Sequence, residues 1–297
     1  MYDLIIIGGG PAGLTATVYA LHKRLETLLI SADLGGKVNY HLQLKGFEGH
    51  EVISGVDVVE KFKRQLEYLQ FAHRIDRVTK IEPCNRHFAV LTRSGKRYEA
   101  RSIVIATGAT PQRPDVPGEA RLVGRGLSYS AISHAQLFIE KTAAVYGSGG
   151  RALRAAAELA TIAEHVYLLL PESGNMDSTV GRQLSTHPNM TIYENAELLE
   201  IRGQEYVESL VVQREQATEE ILVDGLFVEL GLIPHSQFAT DLGITDSQGR
   251  IVVNSKCATS CPGVFAAGDV TDVFVEQVLI CIGEGAKAAL SAYEYLL

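Results

Sequence analysis

Ser130-Ala131-Ile132-Ser133-His134 has the spacing of a redox dithiol, Cys-x-x-Cys, with a hydroxyl at each sulfur position. Two thiols cycle between dithiol and disulfide, and their thiolates are nucleophiles; serine hydroxyls do neither. His134 follows at once, and either acts there as an acid or base or bonds the backbone where a helix starts. The segment lies between two glycine-rich turns, Gly8-Gly9-Gly10-Pro11-Ala12-Gly13 and Gly147-Ser148-Gly149-Gly150-Arg151-Ala152, which fit G-x-G-x-x-G and G-x-G-x-x-A. Such turns hold dinucleotides. The first glycine permits the turn, the second lets backbone approach a pyrophosphate, and the third lets the helix pack on the strand.

A turn of this kind needs a strand before it and a helix behind it. The apolar run Tyr2 to Ile7 precedes the first turn, and a helical stretch from Leu14 to about Leu25 follows, so an anion would lie at a helix N-terminus. A second strand spans Thr27 to Ile30. Beyond it Asp33 either accepts a ribose hydroxyl or caps the loop that runs to Gly35-Gly36. Val56, Val59, Phe62, Leu66 and Leu69 mark one face of a helix. Residues 74–106 read as strands around Ser94-Gly95-Lys96. They end at Ala106-Thr107-Gly108, where the backbone is expected to pass close to a cofactor. Pro111, Pro114 and Pro117 stiffen the exit toward a second domain.

The second unit repeats the first: strand Ala143 to Tyr146, glycine turn, helix Leu153 to Ala163, strand His165 to Leu170. An acid after that last strand holds a free ribose, whereas arginines hold the 2′-phosphate of NADP. Glu172 is the acid present, and no arginine occurs before Arg182, so NADPH is disfavoured and NADH fits better. Near the C-terminus, Val264 to Ala267 leads into Gly268-Asp269, Gln277-Val278 and a helix over Gly283 to Leu296. The Asp269 carboxylate suits a polyol hydroxyl.

A chain of 297 residues, 46% hydrophobic, can bury two cores, and a net charge of −8 argues against nucleic acid or an anionic membrane as partner. Lys61-Phe62-Lys63-Arg64, flanked by Glu60 and Glu67, reads as a solvated helix face. No apolar run approaches the roughly 18 residues of a membrane span. The first strand begins at residue 2, so no signal peptide is expected and the expected location is the cytoplasm. Cys84, Cys257, Cys261 and Cys281 make no Cys-x-x-Cys pair and no zinc-like set, so no metal site is expected.

Taken together, Ile6 to Gly13, Gly35-Gly36, Ala106-Thr107-Gly108-Ala109, Val116-Pro117-Gly118-Glu119, Gly147-x-Gly149 and Val264 to Asp269 make this chain resemble the low-molecular-weight thioredoxin reductase family. The tail Gly283 to Tyr293 is similar to the flavoprotein subunits of alkyl hydroperoxide reductases within it. The resemblance implies an α/β fold of two Rossmann-type, three-layer domains, the second inserted into the first. Residues 1–112 and 243–297 would bind FAD, residues 113–242 would form the NAD(P)-binding-like domain, and the protein would be a homodimer. Carried over by position, Gly8, Gly10, Pro11, Ala12 and Gly13 would hold the FAD pyrophosphate and Gly35 and Gly36 would line the flavin. Ala106, Thr107 and Gly108 would pass close to it, Gly268 and Asp269 would bind the ribityl chain, and Gln277 and Val278 would lie along the isoalloxazine. The departures fall where chemistry happens. The family's cysteines align with Ser130 and Ser133, the aspartate after them with His134, its NADPH arginine signature with the segment after Leu170, a flavin-side glutamine with Lys37, and an asparagine with Gly46.

Such a chain keeps FAD and loses the usual dithiol exit and NADPH entry. Electrons would come from a protein carrier such as ferredoxin, or from NADH, and pass to an unknown acceptor. Lys37 either faces the pyrimidine edge of the flavin and favours negative charge there, or is a solvent lysine; Tyr40 and Tyr129 either cover the ring or pack elsewhere. Two alternatives remain: a non-catalytic FAD-binding sensor or scaffold, and an engineered Cys-to-Ser form of a thiol/disulfide oxidoreductase.

Overall fold

The computed structural model describes residues 1–39, 42–45, 55–69, 72–172 and 174–297. Tyr40, Gly46 and Ser173 lie outside them, as do the side chains of Val56 and Leu69. The chain divides into two compact units. Unit 1 contains Met1–Asn39, the stretch ending at Thr110, and Ile233–Leu297; unit 2 contains Pro111–Leu232 with residues 42–45.

Unit 1 begins with β1 (Tyr2–Ile7), α1 (Pro11–His22), β2 (Thr27–Ser31), α2 (Gly55–Leu69) and β3 (Ala72–Ile75). Then follow β4 (Val78–Cys84), β5 (His87–Thr92) and β6 (Arg97–Ile105). After the short β7 (Ala109–Pro111) the chain enters unit 2, which contains α3 (Glu119–Leu122), β8 (Leu127–Ser128), α4 (Ala131–His134), β9 (Thr142–Gly147) and α5 (Gly149–Ala160). It continues with β10 (His165–Leu170), α6 (Thr179–Ser185), β11 (Met190–Glu194), β12 (Ala196–Arg202), β13 (Ser209–Arg214), β14 (Ala217–Leu222) and β15 (Gly225–Glu229). The chain returns through β16 (Leu232–Pro234) and ends with β17 (Val264–Ala266) and α7 (Val278–Leu296).

In unit 1 a seven-stranded sheet runs β3-β2-β1-β6-β5-β4. The first half of β6 pairs antiparallel with β5, and its last residues pair parallel with β17. The inner strands are continuous apolar runs because both faces are covered, as parallel sheets require. Alternation then sorts the side chains: Leu4, Ile6, Leu29 and Val104 pack with α1 and α7, while Ile5, Ile7, Leu28, Ile30, Ile103 and Ile105 pack on the opposite face. Unit 2 has a five-stranded parallel sheet, β11-β10-β9-β15-β8, and an antiparallel sheet β12-β13-β14. Each unit thus has the Rossmann-like arrangement that two glycine turns imply.

Several boundaries shift, among them that of α5, which runs Gly149–Ala160 rather than Leu153 to Ala163. The first helix starts at Pro11, whose missing N–H suits the first helical position, and it is over by His22, with Arg24 in a left-handed conformation (φ 60°). The last helix starts at Val278, not Gly283, with Gln277 as its N-cap. Residues 233–242 lie in unit 1, where a 3-10 turn over Gln237–Leu242 sets Phe238 and Ala239 against the sheet core. No described helix is long and apolar enough to cross a membrane.

Helix α7 crosses α1 at Gly285, where an added Cβ would stand 2.1 Å from the Ala12 carbonyl oxygen. Gly285→Val is therefore expected to lower unfolding stability by about 1–3 kcal/mol, the usual range for overpacking a close contact. Chemical denaturation reads this directly, and an unchanged midpoint would show that the helices can separate freely.

Candidate functional site

The turn after β1 is built by backbone contact. Gly8 has φ 109°, and a Cβ there would lie 2.2 Å from the Ala106 carbonyl oxygen; a Cβ on Gly13 would lie 1.9 Å from the Gly8 carbonyl oxygen. Neither position tolerates a side chain. Gly10 differs: a Cβ on it would meet nothing within 4 Å, and that open space faces the first turn of α1. An anion placed there would meet amides and the positive end of the helix dipole. Gly35 donates its N–H to the Gly9 carbonyl (2.8 Å), and a Cβ on Gly36 would be 3.4 Å from Gly10 Cα, so the Gly35-Gly36 loop borders the same space.

Asp33 is placed two residues past β2 with its side chain exposed, while the strand ends on buried Ser31, whose Oγ lies 2.9 Å from His73 Nε2. Burial and the neighbouring Arg74 lower the His73 pKa, which favours the neutral ring beside Ser31.

Lys37 is exposed and ion-paired. Its Nζ is 2.5 Å from Asp269 Oδ2. The other oxygen, Oδ1, accepts from the Cys281 thiol at 3.2 Å. Burial foremost, then the Asp269 charge, pushes the Cys281 pKa above its usual range, so the sulfur keeps its proton. Gly268 (φ 78°) donates its N–H to Glu284 Oε2 (2.8 Å), and burial raises the Glu284 pKa. Gln277 and Val278 form the start of α7, and Val278 packs on the core behind the glycine turn. Gly8, Gly10, Pro11, Ala12, Gly13, Gly35, Gly36, Lys37, Gly268 and Asp269 are thus brought to one end of the unit 1 sheet.

Ala106 donates its N–H to the Ile7 carbonyl (2.7 Å), and Thr107 and Gly108 are held by His235. His235 N–H donates to the Gly108 carbonyl (3.0 Å), Thr107 Oγ1 donates to the His235 carbonyl (2.6 Å), and Thr110 Oγ1 lies 2.7 Å from His235 Nε2.

In unit 2, Ser130 Oγ and Ser133 Oγ lie 2.9 Å apart, so the two positions converge as a dithiol would. His134 ends α4 and is also the N-cap residue of a 3-10 helix over Ala135–Phe138, and its Nδ1 lies 3.0 Å from Ser128 Oγ and 3.3 Å from the Ser130 carbonyl. Tyr129 is fixed as well: its hydroxyl donates to the buried carboxylate of Glu119, which also accepts from Arg113 Nε (2.8 Å). Burial, aided by Glu119, pushes the phenol up to about 12. The side chains of Ser128, Tyr129, Ser130, Ser133 and His134 are each tied to a neighbour. Burial pushes the Cys257 thiol up to about 11 and raises that of Cys261, the reverse of a redox nucleophile.

At the second glycine turn, Gly147 is in register with Glu229 at the end of β15, and a Cβ on Gly147 would lie 2.3 Å from the Glu229 carbonyl oxygen. The Glu229 carboxylate is buried and takes Arg151 of the turn. Glu172 lies just past β10 and is exposed; the Arg182 guanidinium donates to the Asp177 carbonyl. Sequence reading missed Glu229, Cys281, Glu284, His73 and His235. Only Glu229 had a local signal, a carboxylate closing an otherwise apolar strand.

Over residues 2–285 the chain matches the family described as pyridine nucleotide-disulphide oxidoreductase. It is 33% identical over 304 residues to the F subunit of alkyl hydroperoxide reductase in Staphylococcus epidermidis and 32% over 300 residues to its counterpart in Staphylococcus aureus. These alignments take in 100% of this chain but 59% of each relative, so the chain spans well under two thirds of their length. Among solved structures, thioredoxin reductase from Streptococcus pyogenes superposes with a TM-score of 0.90 at 30% identity, covering 100% of this chain and 98% of that one. Thioredoxin reductase from Giardia duodenalis gives 0.88 at 27% identity, covering 99% and 98%.

The convergence of the two serines gives a direct expectation. In air, the double variant Ser130→Cys/Ser133→Cys closes a disulfide, so thiol titration of the denatured protein counts only the four native cysteines until a reductant is added. Persistence of both new thiols in air would mean that the side chains do not meet.

Proposed function

The chain belongs to the pyridine nucleotide-disulphide oxidoreductase family, and from that premise we propose that it is an FAD-dependent oxidoreductase without disulfide reductase activity. It takes electrons from a ferredoxin-like protein or from NADH, and it passes them to an acceptor other than an internal dithiol. The observation that carries this reading is the contrast between the two units. The open space at Gly10, bordered by Gly36 and the α1 N-terminus, fits a pyrophosphate. The Ser130-Ser133 pair has no sulfur.

FAD, when bound, supplies the hydride and single-electron chemistry. The chain's own residues bind and orient it. Amides after Gly10 would take the pyrophosphate, and Gly8 and Gly13 hold the turn in shape for it. Asp269 would accept a ribityl hydroxyl, while the Cys281 thiol donates to Asp269 Oδ1 and holds the carboxylate in place. Lys37, paired with Asp269, brings a positive charge to that end of the site. Thr107, Gly108, Gln277 and Val278 would lie beside the flavin ring. Glu172 and the engaged Arg182 favour NADH over NADPH wherever a nicotinamide cofactor is used. The same reading makes the protein a cytoplasmic homodimer.

Gly10→Ala separates binding from folding, because residue 10 has φ −74° and empty space around it. The apo-protein should unfold within about 0.5 kcal/mol of wild type, while FAD affinity falls at least about tenfold, as expected from displacing a hydrogen-bonded anion. Equal FAD affinity would remove the pyrophosphate from this turn. Anaerobic titration of the flavin-loaded protein tests the electron source: bleaching by reduced ferredoxin or NADH, reversed by air, is expected. Rapid bleaching by NADPH would overturn the reading of residues 171–182. No bleaching by any donor would make it a flavin-binding sensor or scaffold.

A further inference from the structure

In an open parallel α/β sheet, ligands enter the crevice beyond the carboxyl ends of the strands, where the strand order reverses. In unit 2 that point lies between β9, which continues through α5 to β10 on one side, and β15, its neighbour on the other. The two strands end at Gly147 and Glu229, which are register partners. A dinucleotide phosphate would sit over the turn from Gly147 to Arg151, beside the end of β15.

A carboxylate already stands there. Glu229 is 6% exposed. Its Oε2 accepts from Arg151 Nε at 3.3 Å, with the Arg151 NH2 group at 3.2 Å, and its Oε1 accepts from the Ala131 N–H at 3.1 Å. Arg151 lies in the first turn of α5 and is the cation of the glycine turn itself. An arginine fork and a backbone amide are the groups that recognise phosphate oxygens. Here both hold an internal anion.

We infer that Glu229 is an internal competitor for dinucleotide phosphate, occupying Arg151 and the Ala131 amide so that unit 2 discriminates against phosphorylated nucleotides. A pyrophosphate entering the crevice has to take Arg151 from Glu229 and lie next to a buried negative charge, which is unfavourable in a low-dielectric site. Glu229 is in this sense a specificity-determining residue. Its contact with Ala131 also couples the crevice to the Ser130-Ser133 segment. The inference concerns unit 2 alone and stands whether or not unit 1 binds FAD; because NADH also carries a pyrophosphate, it favours the ferredoxin-like protein over NADH among the two proposed donors.

The test uses the full chain and compares two probes, ADP and adenosine, each affinity being read from the concentration dependence of hydrogen exchange at residues 147–153, so that binding in unit 1 does not enter. In wild type, ADP is expected to bind unit 2 no more tightly than adenosine. Glu229→Gln keeps an acceptor for Ala131 and Arg151 but removes the charge, so ADP affinity should rise at least tenfold with new protection at 147–153 and adenosine affinity should stay constant. An unchanged ratio of the two affinities in Glu229→Gln, including no binding of either, overturns the inference. Should that variant not fold, the wild-type comparison decides: ADP at least tenfold tighter than adenosine with protection at 147–153 overturns it, and parity supports it. Because the readout is confined to unit 2, failure here leaves the flavin reading untouched.

Discussion

At the end of β1 the backbone of three segments lies so close that a methyl group on residue 8 or 13 would stand 2.2 or 1.9 Å from a carbonyl oxygen. The rest of unit 1 is arranged around that contact. Because α1 can approach the strand this closely, its first turn points into open space at Gly10. Because Gly285 lets α7 touch the Ala12 carbonyl, the C-terminal helix closes over α1 and places Gly268 and Asp269 at the same end. Glycine gives up side-chain packing at these positions and gains close approach. The apolar strands on either side supply the burial that the glycines do not.

Unit 2 repeats the backbone geometry and fills it with different chemistry. Two carboxylates, Glu119 and Glu229, are almost fully buried, and each takes an arginine and a backbone amide. Buried pairs of this kind contribute little net stability but penalise any arrangement that separates them. They flank the segment from Ser128 to His134, where Tyr129 is held by Glu119 and Ala131 by Glu229. Where a redox pair would alternate between two bonding states, three serine hydroxyls and a histidine bond one another, with a carboxylate holding the segment at Tyr129 and another at Ala131.

The strand-turn-helix corners were legible because periodicity and glycine spacing are local: β1, β2, α2, β9, β10 and the turns between them follow from runs of neighbouring residues. Helix ends were less so. Gly283 looked like a start, yet α7 begins at Val278 with Gln277 at the N-cap position, since a glycine inside a well-packed helix is tolerated. The site was legible where one residue type is required by backbone, as at Gly8, Gly13 and Gly268. It was opaque where function depends on residues far apart in sequence. Cys281 with Asp269, Ser31 with His73, and Glu229 with Arg151 and Ala131 are pairings set by the sheet order, and no spacing rule encodes them.

His235 fastens the place where the chain leaves unit 1 to the place where it comes back. Its amide, carbonyl and ring all bond residues 107–110, so the two ends of the long excursion are stitched together before unit 2 begins. To the seven-stranded sheet, everything between is a loop whose termini are already closed. Chain entropy then grows only slowly with what the loop contains. A fold wired in this way can accept, enlarge or exchange an inserted module while its own core stays in register, so the inserted unit is free to diverge in chemistry faster than the frame that carries it.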